Sequence, residues 1–147
     1  MIRERASALG FAIAPPPEEG RVYNTFDAHR LLHWAGLEGR QRQRQLKLAL
    51  FEAYFTNCLN PSDRDVLADA AEKAGLDRQA AAEVLSSDCY VTEVREEEGV
   101  WRARGINSVP AIIINNRHLI SGGQPPELFE QAIRKIASEM PETAVAD

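Results

Sequence analysis

The sequence predicts an α/β protein in which a strand, a hairpin and a closing helix follow a long all-helical segment. The strand is indicated by Pro110 at the start of the apolar run 111–114, because proline suits the first residue of a strand and the run is rich in β-branched residues. The helical segment is indicated by apolar residues at three- and four-residue spacing between residues 24 and 104. A chain of 147 residues fits one domain, or one domain that carries an insertion.

The composition is that of a globular protein, with 44% hydrophobic and 27% charged residues. A net charge of −5 argues against a general binder of nucleic acid or of anionic membranes. No apolar run approaches the roughly 20 residues that span a bilayer. The stretch Ile2–Arg5 after Met1 also differs from a signal peptide. We therefore expect a cytoplasmic protein with no nucleic-acid or membrane partner.

The N-terminal part is predicted to contain little regular structure. A helical pattern covers Ile2–Leu9, and Phe11–Ile13 alternates as a brief strand does. Three prolines at positions 15, 16 and 17 then stop regular structure and open a linker.

Five helices are predicted between residues 24 and 104, on the basis of caps and terminating glycines. Asn24 or Thr25 begins the first helix and Gly36 ends it. The other four are expected at Gly39–Phe55, at Asp63–Ala74 behind the capping box Ser62-x-x-Asp65, from Asp77 to Leu85 and from Asp88 to Arg104.

Apolar residues at helical spacing predict the core of this helical segment. The first helix offers Ala28, Leu31, Leu32 and Ala35. The second offers Leu46, Leu50, Phe51, Tyr54 and Phe55, and the last offers Val91, Val94 and Val100 or Trp101. We expect all of these side chains to pack against one another.

The C-terminal part is predicted to be a hairpin followed by an amphipathic helix. Gly105 can end the preceding helix, and Asn115-Asn116 tolerates the left-handed backbone of a tight hairpin turn. The second strand is expected at Arg117–Ser121, and Pro125-Pro126 opens the last helix. Residues 141–147 are expected to be a frayed tail.

The titratable residues do not form a metal-ligand pattern. His29 and His33 lie one helical turn apart, but no cysteine or carboxylate stands at a ligand offset beside them. The three acids 96–98 are neighbours on a helix, where side chains point about 100° apart and do not converge. We therefore predict neither a metal ion nor another cofactor.

The two cysteines, Cys58 and Cys89, lie 31 positions apart and in different predicted elements. They form neither a Cys-x-x-Cys pair nor a metal cluster. In a reducing compartment, two free thiols are the expected state, and a regulatory disulfide is the alternative.

Two separated motifs resemble a known family. Ser108-Val109-Pro110, followed by a strand, a hairpin and a helix, resembles the C-terminal half of a thioredoxin-like domain, in which the residue after the valine is a cis-proline. The stretch Asn24–Ala35, followed by a helical insert and then by 105–124, resembles the DsbA-like branch typified by FrnE. The resemblance runs from about Arg21 to Ala137.

The resemblance implies an incomplete thioredoxin-like fold with a large all-helical insertion. Residues 1–23 would be a remnant of the N-terminal half and a linker, 24–104 the insertion, and 105–140 the C-terminal half with its cis-proline loop. The family opens with a strand and a Cys-x-x-Cys helix, and this sequence contains neither ahead of its helical piece. We therefore expect the chain to begin inside a domain, either as a truncation or as a natural protein that has lost its first strand.

The resemblance also implies a function, namely thiol–disulfide oxidoreduction or isomerisation of protein or small thiol substrates. Ser108, Val109 and Pro110 would contact the substrate, and His29 would line the groove between the insertion and the thioredoxin half. Neither cysteine matches the position of the family's nucleophile, so no catalytic residue is assigned. The chain by itself is expected to be weakly active or inactive.

Two other functions remain open at this point. One is a non-catalytic module that binds a peptide or a partner protein in the same groove. The other is a glutathione-dependent relative of the kappa-class transferases or the 2-hydroxychromene-2-carboxylate isomerases. In that case Val109 and Pro110 would contact the tripeptide backbone, and the stretch 122–124 would meet a carboxylate.

The predicted strand also creates a structural expectation. In the family, the absent first strand lies beside the strand expected here at Val109–Ile114, so Ile112, Ile113 and Ile114 would present an open apolar edge. We expect that this edge either pairs with Phe11–Ile13 or forms a homodimer.

Overall fold

The computed structural model describes residues 2–15 and 22–139. Contacts divide the chain into two compact units, Met1–Glu98 and Gly99–Asp147. The predicted tail at 141–147 and most of the predicted linker lie outside the described residues. Within the described ranges, no helix is both long enough and apolar enough to cross a membrane.

Seven α-helices, one π-helical turn and two strands occur in the described residues. In chain order they are α1 (Ile2–Ala8), α2 (Phe26–Glu38), α3 (Arg40–Phe51), the π-helical turn (Glu52–Thr56), α4 (Arg64–Lys73), α5 (Arg78–Ser86), α6 (Val91–Ala103), β1 (Ala111–Ile114), β2 (His118–Ser121) and α7 (Pro126–Ser138). This order confirms the predicted α/β class with a long helical segment ahead of the hairpin.

The core of the first unit lies among α2, α3, α4 and α5. Each of these helices contributes one fully buried leucine, namely Leu31, Leu46, Leu67 and Leu85. Alanines fill the places where the helices approach closely, at Ala35, Ala49, Ala71 and Ala81 among others. Burial of such leucines contributes about 1.5–3 kcal/mol each, so this cluster is the main source of stability in the unit.

The helix α2 is longer than its sequence predicts. It does not end at Gly36 but continues to Glu38, and the chain turns at Gly39, whose φ of 137° favours glycine. Gly36 serves close packing instead, since a Cβ at Gly36 would stand 2.7 Å from Nε2 of Gln43. That nitrogen donates to the carbonyl of Leu32 at 3.0 Å, which ties α3 to α2.

The predicted helix Gly39–Phe55 divides into α3 and the π-helical turn. In the turn, the N–H of Asn57 donates to the carbonyl of Glu52 at 3.0 Å, a five-residue spacing. Leu46 and Leu50 are buried as expected. The prediction that the aromatic residues of this helix belong to the core is wrong, because Phe51, Tyr54 and Phe55 are 52%, 40% and 43% exposed.

Aspartates cap α4 and α5. The Asp77 carboxylate accepts from the N–H of Ala80 at 2.7 Å, as predicted. The cap of α4 is Asp63 rather than the predicted Ser62, and it accepts from the N–H of Asp65 at 2.9 Å. Ser62 instead donates its hydroxyl to the carbonyl of Asn24 at 2.7 Å.

The helix α6 begins at Val91, two residues after the start that a cap at Asp88 predicts. Tyr90 has a φ of 63°, so the chain is still turning at that residue. Val94 is buried, but Val100 and Trp101 are 48% and 39% exposed, so the expectation that they face the core is wrong.

The second unit contains the antiparallel pair β1–β2 and α7. Ala111 lies opposite Ser121, and Ile114 lies opposite His118. The left-handed backbone of the turn is confirmed, since Asn115 and Asn116 have φ values of 53° and 54°. The predicted two-residue loop is wrong, because Ile114 pairs with His118 across three residues and β2 begins at His118 rather than at Arg117. Pro126 occupies the first turn of α7, as its missing N–H allows.

The predicted strand Phe11–Ile13 does not form. The N–H of Ala14 donates to the carbonyl of Phe55 at 2.8 Å, and the hydroxyl of Thr56 donates to the carbonyl of Ala12 at 2.8 Å. This segment therefore lies against the π-helical turn, and its hydrogen bonds are not those of a strand. In the described residues the sheet has two strands only, so the expected pairing of Phe11–Ile13 with β1 is wrong.

Candidate substrate-binding site

The loop Ser108–Pro110 connects the end of α6 to β1. The helix ends at Ala103, and the chain turns at Gly105, whose φ is 81°. The N–H of Gly105 donates to the carbonyl of Arg102 at 2.9 Å, and the N–H of Ile106 donates to the carbonyl of Trp101 at 3.1 Å. A glycine in the left-handed region can end a helix in this way at little cost, so the start of the loop is set by local backbone chemistry.

The loop is anchored at one end and open at the other. The carbonyl of Pro110 accepts from the N–H of Gly122 at 2.9 Å, which extends the β1–β2 ladder by one bond. The Val109–Pro110 peptide bond is cis, and Val109 is 87% exposed. Within the described chain, the backbone groups of Ser108 and Val109 have no backbone partner. They are therefore available to an extended polypeptide that adds as a strand.

His29, the fourth predicted contact residue, lies on α2 in the first unit, whereas the loop lies in the second. Its side chain is exposed and lines a groove of about 590 Å³. The groove lies between the N-terminal half of α2, the C-terminal half of α3 and the π-helical turn.

His33 has a different environment from His29. Its Nδ1 lies 3.5 Å from Oε1 of Glu97, and its ring lies 5.3 Å from the ring of Tyr90. Among residues 2–15 and 22–139, no three His, Cys, Asp or Glu side chains are placed to hold a metal ion.

Both cysteines are free and exposed. Sγ of Cys58 lies 3.6 Å from the carbonyl of Pro15, and the N–H of Cys89 donates to Oγ of Ser87 at 3.3 Å. Since α6 begins at Val91, Cys89 precedes the helix by two residues.

Arg30 holds the segment that contains Cys89, a role that the sequence analysis above does not predict. Arg30 is 4% exposed, and its guanidinium group donates to the carbonyls of Val84, Ser87 and Cys89 and to the carboxylate of Asp27. The spacing of Asp27, Arg30 and Trp34 places all three on one face of α2 and indicates an arginine on the packed side. The connection between α5 and α6 is thus fixed by a charge that is always present.

The helical unit, the antiparallel hairpin, the closing helix and the loop before β1 together define a thioredoxin-like α/β protein with a helical insertion. Comparison with protein families assigns it more closely. A family described as DSBA-like thioredoxin domain matches residues 1–134. The chain belongs to this family.

Solved structures agree with this assignment. A probable DsbA oxidoreductase from Streptomyces coelicolor superposes with a TM-score of 0.82 and is 30% identical, over 99% of this chain and 62% of that chain. A 2-hydroxychromene-2-carboxylate isomerase superposes with a TM-score of 0.75 at 19% identity, over 94% of this chain and 64% of its own, and shows the fold alone. This chain therefore spans less than two thirds of the length of either. A search of curated protein sequences gave no match.

Proposed function

We propose that this protein takes part in thiol–disulfide exchange of the FrnE type and that the loop Ser108–Pro110 holds an extended polypeptide substrate. The carrying observation is the open backbone of Ser108 and Val109 beside a carbonyl that is fixed to Gly122. An exposed, anchored loop of this kind can add a substrate strand through main-chain hydrogen bonds, which require no particular substrate sequence. Membership of the DSBA-like family supports the redox context.

The chemistry itself requires a thiolate. The thiolate attacks one sulfur of a disulfide, a new S–S bond forms, and the other sulfur leaves with the electron pair. The 147 residues contain two cysteines 31 positions apart and no Cys-x-x-Cys pair. The role proposed for these residues is therefore substrate binding, and this chain alone is expected to be weakly active or inactive.

Replacing Val109 with proline is expected to weaken the binding of an extended peptide by about three- to tenfold. The substitution removes one backbone donor, and each main-chain hydrogen bond contributes about 0.5–1.5 kcal/mol. Val109→Ala keeps the N–H and is expected to weaken binding by less than about threefold. Fluorescence anisotropy of a labelled, unfolded cysteine-containing peptide measures both. Equal binding by the two variants would contradict the proposed backbone contact.

A redox measurement distinguishes substrate binding alone from catalysis by one of the chain's own cysteines. Insulin reduction by dithiothreitol is expected to proceed at the uncatalysed rate with this chain. Turnover above that rate, lost in Cys89→Ser, would show that the chain has its own nucleophile. Peptide binding that survives replacement of both Cys58 and Cys89 would support a binding module without redox chemistry.

A glutathione-dependent activity is the second candidate. It is supported by the fold likeness to a 2-hydroxychromene-2-carboxylate isomerase. Titration of reduced glutathione by calorimetry tests it, because a saturable heat that disappears in Val109→Pro would place the tripeptide at the loop. The cytoplasm, where glutathione is abundant and both thiols stay reduced, is the proposed compartment for either activity.

We also propose a homodimer through the second edge of β1. Four consecutive apolar residues form this strand, and among the described residues only β2 pairs with it. Size-exclusion chromatography with light scattering at tens of micromolar is expected to give a dimer. Ile113→Lys is expected to give a monomer, because a charge on an edge strand blocks strand addition. Leu119→Lys, at the cross-strand partner on β2, is the matched control and should remain a dimer.

A further inference from the structure

The groove that His29 lines has the features of a small-molecule site. Its volume of about 590 Å³ lies within the range of about 300–1,000 Å³ that is usual for ligand pockets. Its walls are mostly apolar and aromatic, with Phe51, Tyr54 and Phe55 on one side. Pockets of this composition bind ligands that bury an aromatic ring against the apolar walls and make one or a few polar contacts.

The aromatic side chains of the groove form a connected cluster. The rings of Tyr54 and Phe55 lie 4.8 Å apart, those of Phe51 and Phe55 lie 6.0 Å apart, and those of Tyr23 and Tyr54 lie 6.2 Å apart. All three pairs meet edge to face, the geometry that aromatic rings prefer. Each of the three rings on α3 and the π-helical turn is still at least two-fifths exposed. The cluster therefore offers ring faces and edges to a further aromatic group.

The π-helical turn contains two of these rings, Tyr54 and Phe55, whereas Phe51 ends α3 just before it. Leu46 and Leu50 stand four residues apart in the core, and an unbroken α-helix would continue that face with Tyr54. The turn accommodates one extra residue, which rotates later side chains by about 100° around the helix axis. Tyr54 consequently leaves the core. Single π-helical turns are uncommon and occur often at functional sites, so the turn is an observation independent of the groove.

The polar lining of the groove favours an anion. Lys47 lies on the wall, and none of the described residues that line the groove is an aspartate or a glutamate. Lys47 forms no ion pair with any described residue. Its ammonium group, joined by the imidazole of His29, is thus available to a ligand carboxylate.

We propose that this groove binds an aryl carboxylate, with the ring among Phe51, Tyr54 and Phe55 and the carboxylate at Lys47. The site lies wholly within the first unit and does not use the loop Ser108–Pro110. It therefore stands apart from the proposed thiol–disulfide exchange.

Calorimetric titration of the full chain with naphthalene-2-carboxylate tests this site. Naphthalene-2-carboxamide has nearly the same shape without the charge. It is expected to bind about three- to tenfold more weakly, because it lacks one charged contact near the protein surface. Cyclohexanecarboxylate, which has the charge without the aromatic ring, is expected to bind more weakly than the naphthoate as well. Raising the salt concentration from 50 to 500 mM should reduce the difference between carboxylate and carboxamide.

Two variants assign the contacts. Lys47→Gln is expected to abolish the preference for the carboxylate over the carboxamide. Phe51→Ala is expected to weaken the binding of both naphthalene ligands about fivefold or more. Lys135→Gln, on α7 in the second unit, is the matched control and should leave all affinities unchanged. The site is refuted by the absence of saturable naphthoate binding, by equal affinity for the carboxamide, or by a preference that persists in Lys47→Gln. The comparison of the three ligands uses the unaltered chain, so it tests the proposed site even where a variant misfolds.

Discussion

Replacement of Arg30 with methionine is expected to destabilise the first unit by about 3–5 kcal/mol, the usual cost of removing one partner from a buried charged network. A domain is typically stable by about 5–15 kcal/mol, so this single change would remove a large share of the total. Methionine keeps much of the apolar volume of the arginine stem, which separates the lost hydrogen bonds from a simple cavity.

The reason lies in the acceptors that Arg30 leaves behind. The carbonyl of Val84 accepts at 2.6 Å and that of Cys89 at 2.9 Å, and the carbonyl of Ser87 is bound as well. In Arg30→Met these carbonyls lose their charged donor, and the Asp27 carboxylate, 31% exposed, loses its ion-pair partner. A hydrogen bond to a charged group contributes about 1.5–3 kcal/mol. The loss of these bonds together is therefore larger than the free energy that new contacts with water or neighbouring groups would restore.

Urea unfolding followed by tryptophan fluorescence measures this effect. Trp34 is buried in the first unit and Trp101 lies in the second, so a Trp101→Phe background makes the signal specific to the first unit. Arg30→Lys keeps the charge but not the several donors of the guanidinium group. Its unfolding free energy is expected to lie between those of the unaltered chain and Arg30→Met. Arg40→Met, on an exposed residue of α3, should change stability by less than about 0.5 kcal/mol. A midpoint shift for Arg30→Met equal to that of Arg40→Met would contradict the role of the buried network.

The elements of this fold follow closely from local chemistry in the sequence. Asp77, Pro126 and Asn115-Asn116 each act through their own backbone neighbours, and all three mark the element that they predict. The errors occur where packing between helices overrides a local signal. Gly36 indicates a helix end, but it lies inside α2, where the side chain of Gln43 packs beside it and donates to the carbonyl of Leu32.

The candidate site is less accessible from sequence than the fold. The motif Ser108-Val109-Pro110 identifies the loop because the required conformation is encoded in three consecutive residues. The aromatic groove is not encoded in this way. Tyr54 continues the spacing of Leu46 and Leu50 and so resembles a core residue, and only the π-helical turn, whose cause is not visible in the spacing, turns it outward.

Replacement of Leu67 with alanine is expected to cost the first unit about 3–4 kcal/mol, a typical value for a fully buried leucine whose site does not collapse. Leu67 is 0% exposed on α4, and its helix neighbours Ala70, Ala71 and Ala74 are also buried. The large side chains of the same cluster, among them Leu31, Leu46 and Leu85, are themselves fully buried, so close packing limits how far they can move into the space. A cavity therefore remains, and the loss of packing adds to the loss of apolar burial.

The matched control for Leu67→Ala is Leu48→Ala, which removes the same atoms from a residue of α3 that is 51% exposed. It should cost less than about 1 kcal/mol, because most of its side-chain surface is already in water. The same urea titration in the Trp101→Phe background compares the two. Since the chemistry of the substitution is identical, the difference in unfolding free energy reports the packing around Leu67 alone. Similar losses in both variants would mean that the four-helix cluster is not a closed core, which would also remove the basis for the large effect expected at Arg30.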